Sequence, residues 1–253
     1  MNTDRMKNRI ERFVNGVRSF GNWGLLCADT AVLGTSTILI SFWDRDGFRT
    51  DHVGRLWSRI NLKSIGIEID VEGRDNLDPE SPYVIMVNHA SLLDIFVIYD
   101  ALPRQIRWVM KSELRKVPIF GFACEKMGHV YVKRGSGESA KESMRNAARK
   151  VAAGASVVFF PEGTRNNGVD LLPFKKGGFR LAIQAEVPIV PVIIHGTADL
   201  MPPGDWVCKK GRVKVNILKP IPTKSMTFDD LPALMAETRE VMDGELKGNC
   251  VDQ

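Results

Sequence analysis

The stretch Tyr83-Val84-Ile85-Met86-Val87-Asn88-His89-Ala90-Ser91-Leu92-Leu93-Asp94 passes from an unbroken apolar run into a polar, titratable cluster. The run has the length and β-branched content of a buried strand, and Ser91 opens Leu92 to Ile98, which reads as a helix. His89 therefore stands at the carboxyl end of a strand, where open α/β sheets gather ligands and chemistry. Asp94 lies five positions on, about 140° around an ideal helix from a residue at that spacing. The two meet only if His89 sits in the turn before the helix and folds back over its first turns. In that geometry the carboxylate accepts one imidazole N–H and leaves the other nitrogen as a base. In the other reading, Asn88 and Ser91 cap a plain strand-to-helix connection and His89 fills space. These residues alone leave both readings open.

Around this stretch the chain alternates strand-like and helix-like segments, the pattern of an α/β fold with a mixed, largely parallel sheet flanked by helices. Strands are expected at 64–71, 83–87, 106–110, 129–133, 156–160, 188–194 and 212–218, and helices at 91–101, 138–153, 177–185 and 229–246. With 253 residues, of which 44% are hydrophobic and 26% charged, the chain has enough apolar material for a full core. The natural division is an amino-terminal appendage over residues 1–62 and an α/β domain over 63–253. A net charge of +5 and a pI near 9.0 favour anionic partners: phosphate groups, acidic lipid surfaces or nucleic acid. Cys27, Cys124, Cys208 and Cys250 stand far apart, without a C-x-x-C pair or a cleavable signal, so neither a disulfide framework nor a zinc site is indicated and a reducing, cytosolic side fits.

In the appendage, Ile10, Phe13, Val14, Val17 and Phe20 recur at helical spacing among Arg5, Lys7, Arg9, Arg12 and Arg18, the pattern of a basic amphipathic helix at a membrane surface. After Gly21 and Gly24 a second helix is expected from Leu25 to Trp43, with Trp23 and Trp43 about 30 Å apart as interfacial anchors. Asp29 argues against a full span, since an acidic residue at the bilayer centre costs about 2.5–3.5 kcal/mol, and favours shallow insertion. The alternative is that both helices pack on the soluble domain. A third helix is expected over 53–62.

Two further clusters sit at strand ends. Val157-Val158-Phe159-Phe160 runs into Pro161-Glu162-Gly163-Thr164-Arg165, in which Gly163 permits close backbone approach, Arg165 offers a planar fork for phosphate and Glu162 can accept hydroxyl protons. An internal Glu162-Arg165 ion pair in a surface loop is the plainer reading. Lys133-Arg134 and Lys111 end two other strands, so several strand ends carry cations toward one edge. Gly135-Ser136-Gly137-Glu138-Ser139-Ala140 fits G-x-G-x-x-A, and Glu162 stands where a ribose-binding acid belongs. That raises a nucleotide-binding oxidoreductase as an alternative, yet it accounts for neither His89 with Asp94 nor the 161–165 turn. A tight strand-helix connection is the better reading of those glycines.

His89 with Asp94 as H-x-x-x-x-D, and Phe160 to Arg165 as F-P-E-G-T-R, resemble the motifs of the glycerolipid acyltransferases, in particular the bacterial branch that acylates 1-acyl-sn-glycerol 3-phosphate. Gly128 to Arg134, Val187 to Val192 and Lys111 to Leu114 are similar to further blocks of that family, in family order. His129 and Tyr131 depart from many relatives, which loosens inference about the acyl pocket. The resemblance implies a glycerol-3-phosphate-acyltransferase-like fold with membrane-associating amino-terminal helices at the cytoplasmic face of the inner membrane. It implies acyl transfer from acyl-CoA or acyl-carrier protein to lysophosphatidic acid in phospholipid synthesis, with no metal, no resident cofactor and no nucleic acid. His89 and Asp94 would be catalytic, with direct attack rather than an acyl-enzyme. Lys111, Arg134 and Arg165 would hold the phosphate, and Glu162, Gly163 and Thr164 would orient the acceptor hydroxyls. Another lysolipid or glycerol 3-phosphate as acceptor, or a non-catalytic lipid-binding protein, are the competing expectations.

Overall fold

Val84, Ile85, Met86 and Val87 are fully buried because their strand lies at the middle of the molecule with helices on both faces. Val84 and Met86 point into one core with Phe179, Leu181 and Ala182, whereas Ile85 and Val87 point into the other with Leu93, Val97 and Ile98. A strand covered on both faces has no polar side to alternate with, hence its continuous apolar sequence. Each such side chain contributes about 1.5–3 kcal/mol by leaving water.

The computed structural model describes residues 3–133 and 137–248. Its strands are β1 (Ile67–Glu72), β2 (Val84–Val87), β3 (Ile106–Lys111), β4 (Val130–Val132), β5 (Ser156–Phe159), β6 (Ile189–His195) and β7 (Gly211–Ile217), in the sheet order β1-β7-β6-β2-β5-β3-β4. Every neighbouring pair is parallel except β6 with β7. The helices are α1 (Thr3–Ile40), α2 (Phe48–Ile65), α3 (Leu93–Ala101), α4 (Phe120–Lys126), α5 (Gly137–Ala152), α6 (Gly177–Ala185), α7 (Thr197–Leu200) and α8 (Leu231–Gly248). Because β2, β3, β5 and β6 run the same way, their carboxyl ends share one edge of the sheet.

The main departure from expectation is at the amino terminus, where one helix of 38 residues replaces two. Gly21 and Gly24 do not break it, although glycine costs about 1 kcal/mol relative to alanine in a helix. Tertiary contacts on one face outweigh that cost. The Ser19 hydroxyl donates to the Cys208 carbonyl at 3.3 Å and accepts from the Cys208 amide at 2.8 Å, and the Trp23 indole donates to the Trp206 carbonyl at 2.8 Å. Asp29 is buried and accepts from the Asn61 amide of α2 at 2.8 Å, while Trp57 of α2 donates to Thr30 at 2.9 Å. Asp29 and Thr30 thus face α2, whereas the Thr35 and Ser36 hydroxyls donate to carbonyls of their own helix, Ala31 at 2.7 Å and Val32 at 2.9 Å. The opposite face leaves Phe13, Val17, Phe20, Val32 and Leu39 exposed, and Trp43 lies just beyond the helix, also exposed. By length and composition Arg9–Ile40 is sufficient to cross a membrane.

Smaller corrections have local causes. Helix α2 runs to Ile65, and Gly66, at φ 85°, ends it by donating its amide to the Leu62 carbonyl at 3.0 Å, so β1 starts at Ile67 instead of Ser64. The expected list lacked α4, whose seven residues are too few to display a helical period. Cys27, Cys124 and Cys208 are free thiols, and Cys250 lies outside the described residues.

Candidate active site

β2 ends at Val87, and α3 does not begin until Leu93, so His89 sits in the intervening turn as the pairing with Asp94 requires. The His89 Nδ1 to Asp94 Oδ2 distance is 2.8 Å. The same Oδ2 accepts the amides of Ala90 at 2.8 Å and Ser91 at 2.9 Å, so the carboxylate also caps the turn that opens α3. Asp94 is fully buried. A carboxylate on Nδ1 places the ring proton there and leaves Nε2 as the basic nitrogen. The imidazole stacks on Phe160, ring centroids 3.8 Å apart, and lines a cavity of about 380 Å³.

The backbone of His89 is held as firmly as its ring. Its amide donates to Glu162 Oε1 at 3.0 Å and its carbonyl accepts the Asn166 amide at 2.9 Å, joining the ends of β2 and β5. Glu162 Oε2 accepts from the Leu172 amide at 2.9 Å and from the Asn166 side chain. Burial pushes the Glu162 carboxyl up, against the lowering pull of the Leu172 and His89 amides. Glu162 is 2% exposed and absent from the cavity wall. The expectation that it orients acceptor hydroxyls is therefore corrected: both oxygens are occupied by internal donors, and the residue joins the two motifs from beneath. Nor does it pair with Arg165: its oxygens accept from His89, Leu172 and Asn166.

Gly163, Thr164 and Arg165 do reach the cavity, as does Lys111 at the end of β3. Gly163 adopts φ 75°, a left-handed conformation that turns the chain just before Thr164 and Arg165, which line the cavity with it. No carboxylate pairs with Arg165 among the described residues, whereas Lys111 lies 3.2 Å from Glu113 in a half-exposed pair. Arg134, Gly135 and Ser136 lie outside the described residues, so the second-block cation and most of the glycine-rich turn have no structural account; α5 opens at Gly137.

Away from His89 the cavity becomes apolar, passing between α1, α2, α3 and α4 along Leu33, Val53, Trp57, Ile95, Phe120 and Met127. Gly54 keeps it narrow yet open: a Cβ there would come within 2.7 Å of Met127 Cε. The wall also carries a buried polar group, His129, which the sequence marked only as a departure from many relatives. His129 Nδ1 accepts the Trp108 amide at 3.3 Å, which places the ring proton on Nε2, and that N–H donates to the Tyr99 hydroxyl oxygen at 2.8 Å. Burial, with the Arg107 and Lys150 cations adding to it, pushes the His129 imidazole down to about 3. Tyr131 instead fixes α4, donating its hydroxyl to the Gly121 carbonyl at 2.7 Å.

The His129 shift makes a stability prediction. A base held neutral by the fold binds its proton more readily when unfolded, so its contribution is complete above about pH 6.5 and declines as the pH falls toward 3. Between pH 7 and pH 5 the parent should lose about 2 kcal/mol that a His129→Asn variant does not lose. Chemical denaturation at the two pH values measures the difference, and parallel losses would refute it.

Residues 68–195 match the family model described as Acyltransferase. Among curated proteins, 1-acyl-sn-glycerol-3-phosphate acyltransferase alpha of Homo sapiens is 36% identical over 184 residues, covering 70% of this chain and 63% of that protein. The 1-acyl-sn-glycerol-3-phosphate acyltransferase of Saccharomyces cerevisiae is 34% identical over 186 residues, covering 72% of this chain and 61% of that protein. The matched region thus spans less than two thirds of these relatives' length. The crystal structure of a 1-acyl-sn-glycerophosphate acyltransferase from Thermotoga maritima shares the fold, with a TM-score of 0.80 over 94% of this chain and 96% of that one, at 24% identity.

Proposed function

Since this chain belongs to the acyltransferase family, we propose that it transfers a fatty acyl group from acyl-CoA or acyl-carrier protein to the sn-2 hydroxyl of 1-acyl-sn-glycerol 3-phosphate, forming phosphatidic acid. The observation that carries this reading is a single cavity with a base and cations at one end and a long apolar wall at the other. Such a cavity suits a molecule that carries a phosphate and a hydroxyl beside a fatty chain.

In the proposed step, His89 Nε2 takes the hydroxyl proton as the acceptor oxygen attacks the thioester carbonyl carbon. The new C–O bond forms a tetrahedral intermediate, the C–S bond breaks, and the imidazolium returns its proton to the departing thiolate. Asp94 holds the imidazole in the required tautomer throughout. Arg165 and Lys111 bind the glycerol phosphate, and the acyl chain lies along Trp57, Ile95 and Met127. The exposed apolar face of α1, with Arg9 and Arg12 beside Phe13, rests on the bilayer and brings the mouth to the lipid.

The test is acylation by the purified full chain of a panel of lyso-acceptors, with acyl-CoA and acyl-carrier protein as donors. Lysophosphatidic acid should be the preferred acceptor. Acylation of another acceptor but not this one would overturn the substrate assignment. Within that assay, Arg165→Ala should raise KM for lysophosphatidic acid about 10-fold, consistent with loss of a charge-assisted pair, and leave the donor's KM near the parent value. Equal effects on both substrates would remove Arg165 from the phosphate site.

A further inference from the structure

Both residues flanking the His89 turn are tied to the end of β6. The Asn88 side chain bridges the Ile194 backbone, donating to its carbonyl at 2.9 Å and accepting its amide at 2.8 Å. At the other end of the turn, the Thr197 hydroxyl donates to Asp94 Oδ1 at 2.6 Å. The two carboxylate oxygens are served unequally. Oδ2 has three donors, namely His89 Nδ1 and the amides of Ala90 and Ser91, whereas Oδ1 has only Thr197 among the described residues. Thr197 and Asp94 are both fully buried, so no solvent stands in for a lost hydroxyl.

We propose that Thr197 is a positioning residue for the acyl-transfer step, locking the rotation of the Asp94 carboxylate so that Oδ2 stays on His89 and Nε2 stays on the reaction line. This role rests on the general-base reading given above. Gly196, at φ 88°, turns the chain at the end of β6, and Thr197 begins α7 immediately after it. The hydroxyl thereby reaches Asp94 from a strand end 103 residues away in sequence. A carboxylate oxygen buried without a donor is costly, so without the hydroxyl the carboxylate tilts part-way to share its remaining donors between both oxygens, and the imidazole loses its fixed orientation. Thr197 is absent from the cavity wall. Its loss therefore acts on turnover, not on binding.

The charged groups that share the His89 environment are Asp94 of α3, Glu162 beneath it, and Lys111 and Arg165 across the cavity. None of these changes in the variants that test the proposal. Thr197→Val keeps the shape of the side chain and removes the donor, while Thr197→Ser keeps the donor and removes a methyl group. In the full chain, Thr197→Val should lower kcat about 10- to 100-fold, the scale of a small misplacement of a reacting group, with KM for both substrates unchanged. Thr197→Ser should recover most of that loss. The His89 Nδ1 proton resonance, assigned by its absence in His89→Gln, should broaden in Thr197→Val and return in Thr197→Ser.

A Thr197→Val enzyme with parental kcat and a parental Nδ1 resonance would overturn the proposal. So would a Thr197→Ser enzyme as impaired as Thr197→Val, because packing alone would then be at issue. A loss expressed mainly in KM would also overturn it. If the parent acylates no acceptor, the proposed reaction fails separately, and the resonance still decides whether Thr197 holds the Asp94-His89 pair.

Discussion

Replacing His89 by alanine is expected to lower turnover by about 10²- to 10⁴-fold, the range for loss of a positioned general base, with the fold retained. Retention follows from the bonds that remain. Asp94 keeps the amides of Ala90 and Ser91 and the hydroxyl of Thr197, so its buried carboxylate is not abandoned. The backbone amide of residue 89 still donates to Glu162. Circular dichroism and thermal unfolding should match the parent while steady-state acyl transfer collapses. A variant with a few-fold loss would mean that the imidazole is not the base, and a variant that fails to fold would mean that the stack on Phe160 is structural.

Glu162→Ala should be as damaging to activity and, unlike the His89 substitution, damaging to the fold. The carboxylate accepts from the amides of His89 and Leu172 and from the Asn166 side chain, all within the protein. Removing it orphans these donors at about 1–3 kcal/mol each, so a loss of several kcal/mol is expected. Glu162→Gln separates charge from geometry, because its single carbonyl oxygen satisfies one side and turns an NH2 toward donors on the other. It should unfold at lower denaturant than the parent and turn over at least 10-fold more slowly, because the His89 backbone is no longer set. Parental stability in Glu162→Gln, with only KM for the acceptor raised, would restore the hydroxyl-binding role assigned from the motif.

What was legible in the sequence was whatever depends on neighbours along the chain. The apolar run at 83–87 could be read as a strand because burial on both faces leaves it no polar residues, and the five-residue spacing to Asp94 set the condition that His89 lie in the turn before the helix, without deciding whether the two residues pair. What escaped depends on neighbours across the sheet. The residue type of Glu162 shows that it accepts protons; that its acceptors point inward is decided by where His89 and Leu172 present their amides. Thr197 follows a glycine at a strand end, a signal that could have marked it, but nothing local ties it to Asp94. The continuity of α1 through Gly21 and Gly24 was hidden for the same reason, since contacts with residues 206 and 208 override the local preference.

The bonds that hold His89 and its flanking residues span 73 residues to Glu162, 106 to Ile194 and 103 to Thr197. No fragment of the chain shorter than these separations contains them. The order of assembly is constrained accordingly: β2 must first find both β5 and β6, at the entropic cost of closing two long loops, before the imidazole has an orientation at all. Competence thus arrives at the end of folding, and a chain still emerging from synthesis carries the base without the means to aim it. Recovery of turnover after dilution from denaturant would then lag the recovery of helical signal, and would report directly on docking of the last central strand.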